Sequence, residues 1–307
     1  MTREKGGKDP MRSRAKRREV CPDTRKECSR LQKALRTFVR NRLAVIGAVI
    51  LTGIVVCAVF APYIAPHAPL KMDLSNMHAP PGSPGHLLGT DNLGRDVLSR
   101  LIHGSRISLS VGLVVVSIAA VLGTAMGLLS GYYGKATDVV IMRLVEVFVA
   151  FPFLILVVAA IAILGPSLYN VMLVLGLVSW PIYARLVRSE VLAIRELPYI
   201  EAARAIGANN ARIMFRHVLP NCLSSVLVTA AMSMAGAILS TAALGFLGLG
   251  VQPPTPEWGM MLNEAKQFLR RYPWEIFYPG VAIMLVVLAL NFLGDGLRDA
   301  LDPHLHR

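Results

Sequence analysis

Apolar residues occur in six long blocks separated by polar or proline-rich segments. The blocks cover residues 43–64, 107–129, 139–164, 171–187, 222–245 and 276–294. Each is close to the ~20 residues that an α-helix needs to cross a ~30 Å hydrocarbon core. A backbone inside lipid must satisfy its own hydrogen bonds, and the blocks do not alternate as membrane β-strands would. The pattern therefore predicts an all-α polytopic membrane protein with six transmembrane helices.

The distribution of basic residues predicts the orientation of these helices. Segments 1–42, 130–138, 188–221 and 295–307 hold 23 of the Lys and Arg residues, whereas segments 65–106, 165–170 and 246–275 hold 7. Cytoplasmic segments carry the excess of basic residues in membrane proteins. We therefore expect a basic cytoplasmic tail at 1–42, helix one at 43–64, an extracytoplasmic loop at 65–106, called here the outer segment, a five-helix core at 107–294 and a cytoplasmic C-terminus at 295–307.

Composition agrees with a membrane protein, since 54% of the 307 residues are hydrophobic and only 17% are charged. The net charge of +13 raises nucleic-acid binding as an alternative, because 15 of the 32 Lys and Arg residues precede Leu43. That run leads directly into an apolar block and holds one aromatic residue, Phe38, for base stacking. A tail that anchors helix one explains it better. A signal peptide is disfavoured because the charged region is too long.

The outer segment is rich in Pro and Gly from His67 to Gly85, which predicts an irregular loop. Apolar residues then follow a helical period over 96–103, which predicts a short amphipathic helix along the outer interface. Histidines at 67, 78, 86 and 103 show no metal-ligand spacing, and neither do His304 and His306, so no metal site is expected. The four cysteines, at 21, 28, 57 and 222, predict no disulfide framework.

Several features inside the blocks allow more than one interpretation. Gly123, Gly127 and Gly131 form a stripe of small residues that fits helix packing within the chain or contact with a second subunit. Pro152 and Pro181 are expected to interrupt helices three and four, either for gating or as plain structure. The charged residues in the blocks are Arg143, Glu146 and Arg185. We expect Arg143 and Glu146 to form an ion pair one helical turn apart, and Arg185 to reach the cytoplasmic interface.

The inner loop 188–221 contains residues that typically start and end short helices. Pro198 and Glu201 fit the first turn of a helix, small residues follow, and Gly207 can end the helix with a positive φ. A second short helix is expected from Asn210 to Val218 before the chain re-enters the membrane. The residues alone fit either docking into a groove of a soluble partner or a tight reverse connection.

The spacing of residues in this loop resembles the EAA loop of ABC importer permeases. Glu201-Ala202-Ala203, three residues, Gly207, and then Leu219-Pro220 follow the pattern of that family, although His217 stands where the general pattern has Ile. His217 to Asn221, the run Leu88 to Arg100 and the run Gly294 to Pro303 are similar to the branch that imports dipeptides, oligopeptides or nickel. The resemblance covers residues 36–307 and leaves the basic extension unmatched.

The resemblance implies an ABC importer type I permease (MetI-like) fold in a bacterial or archaeal cell membrane, with both termini cytoplasmic. It implies that Glu201, Ala202, Ala203 and Gly207 contact an ATP-binding subunit and that Leu219 and Pro220 brace the return to the membrane. Its implied partners are a second homologous permease, two ATPase subunits that bind ATP and Mg²⁺, and an extracytoplasmic solute-binding protein. No cofactor is expected on this chain, which has no phosphate-binding loop of its own and is expected not to be an enzyme.

The outer segment also offers a candidate contact surface. Its length and placement make Asp91, Arg95 and Asp96 a candidate surface for contact with the binding protein or the second permease.

Peptide is the expected substrate, with nickel chelates or another small solute as the alternative. An ion-coupled secondary transporter is disfavoured by the scarcity of charge in the blocks, and a membrane scaffold or intramembrane enzyme by the lack of polar catalytic residues there.

Overall fold

The computed structural model describes residues 37–301, which are helical apart from loops and two isolated β-bridges. Nine longer helices carry the fold: α1 Arg42–Val59, α2 Val97–Tyr133, α3 Lys135–Ala150, α4 Phe153–Leu164, α5 Leu168–Ile194, α6 Pro198–Ala205, α7 Leu219–Phe246, α8 Trp258–Ala265 and α9 Trp274–Leu301. Short helical turns cover Ala61–Ile64, Leu74–Asn76 and Lys266–Phe268. Two more, Asn210–Ile213 and the π-helical turn Met214–Val218, run directly into α7.

Five helices of the described chain are long and apolar enough to cross a membrane, and a bent pair makes the count six if the pair is one span. The bent pair is α3 and α4, which meet at 90°. The predicted interruption of the helix over 139–164 at Pro152 is therefore confirmed, and the break separates α3 from α4. Pro152 lacks an amide hydrogen and disfavours helical geometry at Phe151, whose φ of −92° and ψ of 141° are extended.

Pro181 behaves differently from Pro152. The chain remains helical through Pro181, which lies buried inside α5. The prediction that Pro181 interrupts its helix is wrong. The neighbouring residues Trp180, Tyr183 and Ala184 are also buried, and their packing holds this part of α5 helical despite the missing hydrogen bond.

The segment 96–103 is the first part of α2 rather than a separate interfacial helix. Asp96 caps α2 by accepting a hydrogen bond from the Ser99 amide, and the helix then continues for 37 residues to Tyr133. The helical period of apolar and polar residues suggested an interfacial helix, but the polar residues Ser99 and Arg100 are buried as well. Val97, for example, is buried in a cluster with Ile238 and Trp258.

The glycine stripe of α2 packs against α5 of the same chain. A Cβ atom added at Gly123 would lie 2.5 Å from the Trp180 carbonyl oxygen, and one at Gly127 would lie 2.6 Å from the Ala184 carbonyl oxygen. A Cβ at Gly131 would meet the side chain of Val191 at 2.8 Å. These distances leave no room for a side chain, so the interpretation of the stripe as internal packing is confirmed.

A second group of helices, α1, α7 and α9, packs beside this pair. α8 closes the group at the end that carries the outer segment, where Gly259 lies against the backbone of Ala242 in α7. The buried carboxylate of Glu257 caps α8 through a hydrogen bond of 2.9 Å from the Met260 amide. Burial raises the pKa of Glu257 above its ordinary value, and backbone hydrogen bonds oppose that shift. The cysteines at 57 and 222 are free thiols, whereas 21 and 28 lie outside the described residues.

Candidate functional site

The EAA-like loop begins with the predicted helix, α6. Leu197 is extended, Pro198 occupies the first helical position, and Glu201 lies in the first turn. Proline suits that position because its fixed φ is helical and its missing amide has no partner there anyway. A carboxylate in the first turn is stabilised by the positive end of the helix dipole. The local sequence therefore specifies where α6 starts.

Gly207 ends α6 as predicted, with a φ of +83°. The Gly207 amide donates to the Arg204 carbonyl at 2.9 Å, and the Ala208 amide donates to the Ala203 carbonyl at 3.1 Å. This pair of hydrogen bonds is a Schellman motif, which requires a residue in the left-handed region at the position of Gly207. The motif turns the chain sharply after two turns of helix.

One face of α6 is buried in the end of the helix bundle. Ile200 and Ala203 lie in a cluster with residues of α2, α5, the turn Asn210–Ile213 and the start of α7, including Val191, Ile213 and Cys222. The opposite face is exposed and presents Glu201, Ala202, Ala205 and Ile206, and the Ile206 side chain is 87% exposed. Of the predicted contact residues, Glu201, Ala202 and Gly207 are thus exposed, while Ala203 anchors the helix from inside.

Side chains of the loop also hold α6 against α2. The Tyr132 hydroxyl donates to the Asn210 side-chain oxygen at 2.9 Å, and the Arg204 guanidinium lies 5.8 Å from the centre of the Tyr132 ring. Arg195 donates to the carbonyl of Gly131 at 3.1 Å. Sequence reasoning missed these contacts, because they join residues more than 60 positions apart.

The loop returns to the membrane through a continuous helix. The predicted second helix is present as the turn Asn210–Ile213 and the π-helical turn Met214–Val218, without a break before α7. Leu219 packs partly against the cluster under α6, and Pro220 lies exposed in the first turn of α7. The role of these two residues in bracing the return to the membrane stays a prediction.

A charged contact beside the loop joins α3 to α5. Arg188 binds Asp138 with both Nε and Nη2, at 2.5 and 2.6 Å, and Asp138 also accepts a hydrogen bond from Ser130. The predicted ion pair of Arg143 and Glu146 is present nearby at 2.7 Å. Arg185 is exposed and lines the same shallow depression as these residues.

At the other end of the bundle, the outer segment contains a buried charged cluster. Arg95 donates from Nε to Asp91 at 2.7 Å and from Nη2 to Glu264 at 2.9 Å. Arg100 also binds both carboxylates, and its Nη1 lies 2.7 Å from Glu264. All four charges belong to one network that ties the outer segment to α8.

The burial of these residues disagrees with the hypothesis of a contact surface. Asp91, Arg95 and Asp96 are all at least nine-tenths buried, and each is bonded to other groups of the same chain. Their hydrogen bonds shape the segment from inside. The pattern in the sequence is equally typical of a buried loop framework, and only the fold reveals that Glu264 supplies its second carboxylate.

Histidines that look scattered in the sequence come together in the fold. His67, His86 and Asp96 each offer a ligand atom within 4.8 Å of the others. His78 lies elsewhere, 2.6 Å from Glu275, and His103 contacts the Ser99 carbonyl. The spacing in the sequence therefore did not predict that His67 and His86 lie together, and the expectation of no metal site stays a prediction. His304 and His306 lie outside the described residues.

A cleft of about 210 Å³ opens midway along the bundle between α2, α4, α5 and α7. Its lining is mostly apolar, with hydroxyl groups from Ser179, Tyr183, Ser233 and Ser240. No charged side chain lines it. The cleft can hold a small solute through weak polar contacts.

Comparison with protein families gives two matches. Residues 123–307 match the family described as the binding-protein-dependent transport system inner membrane component. Residues 29–81 match the N-terminal TM domain of oligopeptide transport permease C. Together these matches include the EAA-like loop and the first part of the outer segment.

Curated relatives align over most of their length. The chain is 46% identical over 274 residues to the dipeptide transport system permease protein DppC of Alkalihalophilus pseudofirmus, covering 89% of this chain and 90% of the relative. It is 47% identical over 282 residues to the di/tripeptide transport system permease protein DppC of Pseudomonas aeruginosa, covering 90% and 93%. It is 45% identical to the glutathione transport system permease protein GsiD of Pectobacterium atrosepticum over 271 residues, covering 88% and 90%.

Among solved structures, the inward-facing MetNI methionine ABC transporter contains a similar chain. The TM-score is 0.52 at 23% sequence identity, over 66% of this chain and 97% of that chain. This likeness concerns the fold alone, and it agrees with the helical architecture predicted from the sequence.

Proposed function

The chain belongs to the family of binding-protein-dependent transport system inner membrane components, and we propose that it is the permease subunit of an ABC importer that carries di- or oligopeptides. Together with a second, homologous permease it forms the translocation pathway. ATP and Mg²⁺ bind to two separate ATPase subunits, and an extracytoplasmic binding protein delivers the peptide.

The exposed face of α6 is the observation that carries this proposal. A helix of two turns is held rigidly to the bundle by Ile200 and Ala203, while Glu201, Ala202 and Ile206 point away from it. A short helix whose exposed face carries small side chains can approach a groove of another subunit closely. Glu201, Ala202, Ala203 and Gly207 then transmit the movement of the ATPases, and Leu219 and Pro220 carry it into α7.

The distribution of basic residues supports a cytoplasmic position of this loop, where ATP is available. It likewise supports an outer segment on the opposite side of a bacterial or archaeal cell membrane, with both termini inside. ATP hydrolysis is assigned to other polypeptides because the sequence lacks a Gly-x4-Gly-Lys-Ser/Thr motif.

Names of the relatives support a peptide as the substrate, since they include dipeptide, di/tripeptide and glutathione transport permeases. The cleft between α2, α4, α5 and α7 is the part of this chain that we assign to the pathway. Its serines and Tyr183 offer hydroxyl groups that can bond to peptide groups transiently, and the lack of charge among the lining residues favours release. Nickel chelates are the alternative substrate class.

Transport by the reconstituted complex tests the proposal. The two permeases and two ATPases are placed in liposomes with the binding protein outside, and uptake of a radiolabelled dipeptide is measured with and without ATP inside. We expect uptake that requires ATP and the binding protein. Uptake that follows a proton gradient without ATP would instead establish an ion-coupled secondary transporter. ATP-dependent uptake of nickel chelates in place of peptide would correct the substrate class.

A further inference from the structure

Three metal-binding side chains from separate parts of the outer segment meet at the start of α2. His67 follows the short helix after α1, His86 lies in the loop, and Asp96 is the N-terminal cap of α2. His67 and His86 are 19 positions apart, and His86 and Asp96 are 10 positions apart. No local sequence motif therefore predicts the cluster. The fold alone creates it.

A hydrogen bond and a ring contact bring the three side chains of this cluster together. His86 Nδ1 lies 2.9 Å from Asp96 Oδ1, and the His67 and His86 rings have centroids 4.9 Å apart. One ligand atom from each of the three residues lies within 4.8 Å of the other two. In tetrahedral geometry, bonds of about 2.0–2.2 Å to one ion place neighbouring ligand atoms roughly 3.3–3.6 Å apart. His86 Nδ1 and Asp96 Oδ1 lie slightly closer than this because they share a hydrogen bond, so an ion would replace that hydrogen bond and draw the His67 ligand atom towards the other two.

Surrounding groups orient these ligands. Both the amide and the hydroxyl of Ser99 donate to Asp96 Oδ2, at 2.8 and 2.7 Å, which leaves Oδ1 for His86 or an ion. The His67 amide donates to the same Ser99 hydroxyl at 3.0 Å, and the His67 ring contacts the Gly85 carbonyl through Nε2 at 2.8 Å. A ring that donates from Nε2 keeps a lone pair on Nδ1. Outer contacts of this kind are typical of metal centres.

The chemistry of the ligands selects the ion. Two imidazoles and one carboxylate suit zinc and neighbouring first-row metals, whereas calcium and magnesium prefer oxygen ligands throughout. Asp96 is buried, but His67 and His86 are partly exposed, so an ion and a water ligand can reach the site from solvent. We propose that His67, His86 and Asp96 form a binding site for a divalent transition-metal ion of the zinc type.

Binding at this site ties the start of the outer segment to its end. An ion joins the chain just after α1 to the first turn of α2, across a loop of about 30 residues with little secondary structure. Closing such a loop in the folded state stabilises it. The site is independent of peptide transport, because it is defined by ligands of the outer segment alone and is measured without substrate.

Zinc binding to the assembled complex tests this inference. The complex is purified in nanodiscs with its affinity tags removed, on a His304→Ala, His306→Ala background, and Zn²⁺ is titrated against a chromophoric chelator. We expect one additional zinc per complex, compared with a complex in which this chain carries His67→Ala and His86→Ala together. Each single change should weaken binding by at least about 10-fold. Asp96→Asn should weaken it too while keeping the helix cap, since Asn caps helices as well as Asp does.

The matched control is His103→Gln, which removes a histidine one turn beyond Ser99 but outside the cluster. It should bind zinc as the unaltered chain does. Zinc should also raise the unfolding temperature of the control complex and leave that of the His86→Ala complex unchanged. Equal zinc affinity of the unaltered, His67→Ala and His86→Ala complexes would overturn the proposal, as would the absence of any difference from the double variant.

Discussion

Arg95 donates from Nη2 to Glu264 at 2.9 Å, although 169 positions separate the two residues. The contact joins the outer segment to α8. Asp91 forms a second ion pair with Arg95, and Arg100 forms a second ion pair with Glu264. Asp91 and Arg95, which the sequence suggested as part of an exposed contact surface, thus lie buried between the outer segment and α8. A mutation at Arg95 is therefore expected to affect folding of the chain and not contact with a partner.

Arg95→Ala should impair assembly of the protein. The change leaves Arg100 as the remaining basic partner of the buried carboxylates of Asp91 and Glu264. Removing one member of a buried ion pair costs about 3–5 kcal/mol of folding stability. The yield of folded complex and its unfolding temperature are the measurements. Lys71→Ala in the same segment removes an exposed charge and should change neither. A normal yield and unfolding temperature for Arg95→Ala would contradict the structural role of the cluster.

Gly127→Val should prevent stable packing of α2 on α5. A Cβ at Gly127 would lie 2.6 Å from the Ala184 carbonyl oxygen, so the two helices must separate. Gly53→Val in α1 is the control, because nothing lies within 4 Å of a Cβ there. Resistance of the inserted chain to protease and its unfolding temperature should fall for the first variant only. Equal behaviour of both variants would argue against the close approach of the helices.

Glu201→Lys and Gly207→Val should uncouple ATP hydrolysis from peptide uptake while the subunit remains inserted. The first reverses a charge on the exposed face of α6, and the second places a β-branched residue at a φ of +83°. The measurements are ATP hydrolysis and uptake in the same liposomes.

Gly207→Asn is the matched control for the loop. Asparagine tolerates a positive φ, and nothing lies within 4 Å of a Cβ at Gly207. Uptake should therefore survive in this variant. Wild-type coupling in both Glu201→Lys and Gly207→Val would mean that the docking role belongs to another part of the chain.

Glu257→Gln should become more stable than the wild-type complex as pH rises. Burial raises the pKa of Glu257 above the ordinary value of 4.5, so above pH 4.5 the folded state keeps a proton that the unfolded state loses. The wild type therefore loses stability from pH 4.5 up through the raised pKa, whereas Gln does not titrate. Gln still accepts the hydrogen bond from the Met260 amide. Unfolding temperatures at pH 5 and pH 8 give the comparison, and parallel pH profiles would contradict it.

Features encoded within a few residues were predictable from the sequence. Uniform apolar blocks predicted the membrane helices, and the Pro198 to Gly207 run predicted α6 with its positive φ, because start, composition and end all agree locally. Pro152 and Pro181 look alike in sequence, yet Pro152 breaks its helix whereas α5 continues through Pro181, where the neighbouring side chains are buried. That difference depends on distant neighbours.

Contacts between distant segments were not predictable in the same way. The partner of Arg95 is Glu264, and the partner of Asp138 is Arg188, and no periodicity links the members of either pair. The meeting of His67 with His86 depends on how an irregular loop folds back on itself. Sequence patterns therefore gave the helices and the loop, whereas the charged and histidine clusters required the three-dimensional structure.

The uninterrupted helix from Asn210 to Phe246 has a mechanical consequence. Its 37 residues correspond to a rod of about 55 Å, which exceeds the ~30 Å hydrocarbon core. One end begins directly after α6, and the other lies beside α8. Tilting such a rod by about 10° around its middle moves each end by about 5 Å in opposite directions. We therefore expect a small displacement of the EAA-like loop to shift the far end of this helix at the same time, without intermediate contacts that pass it on.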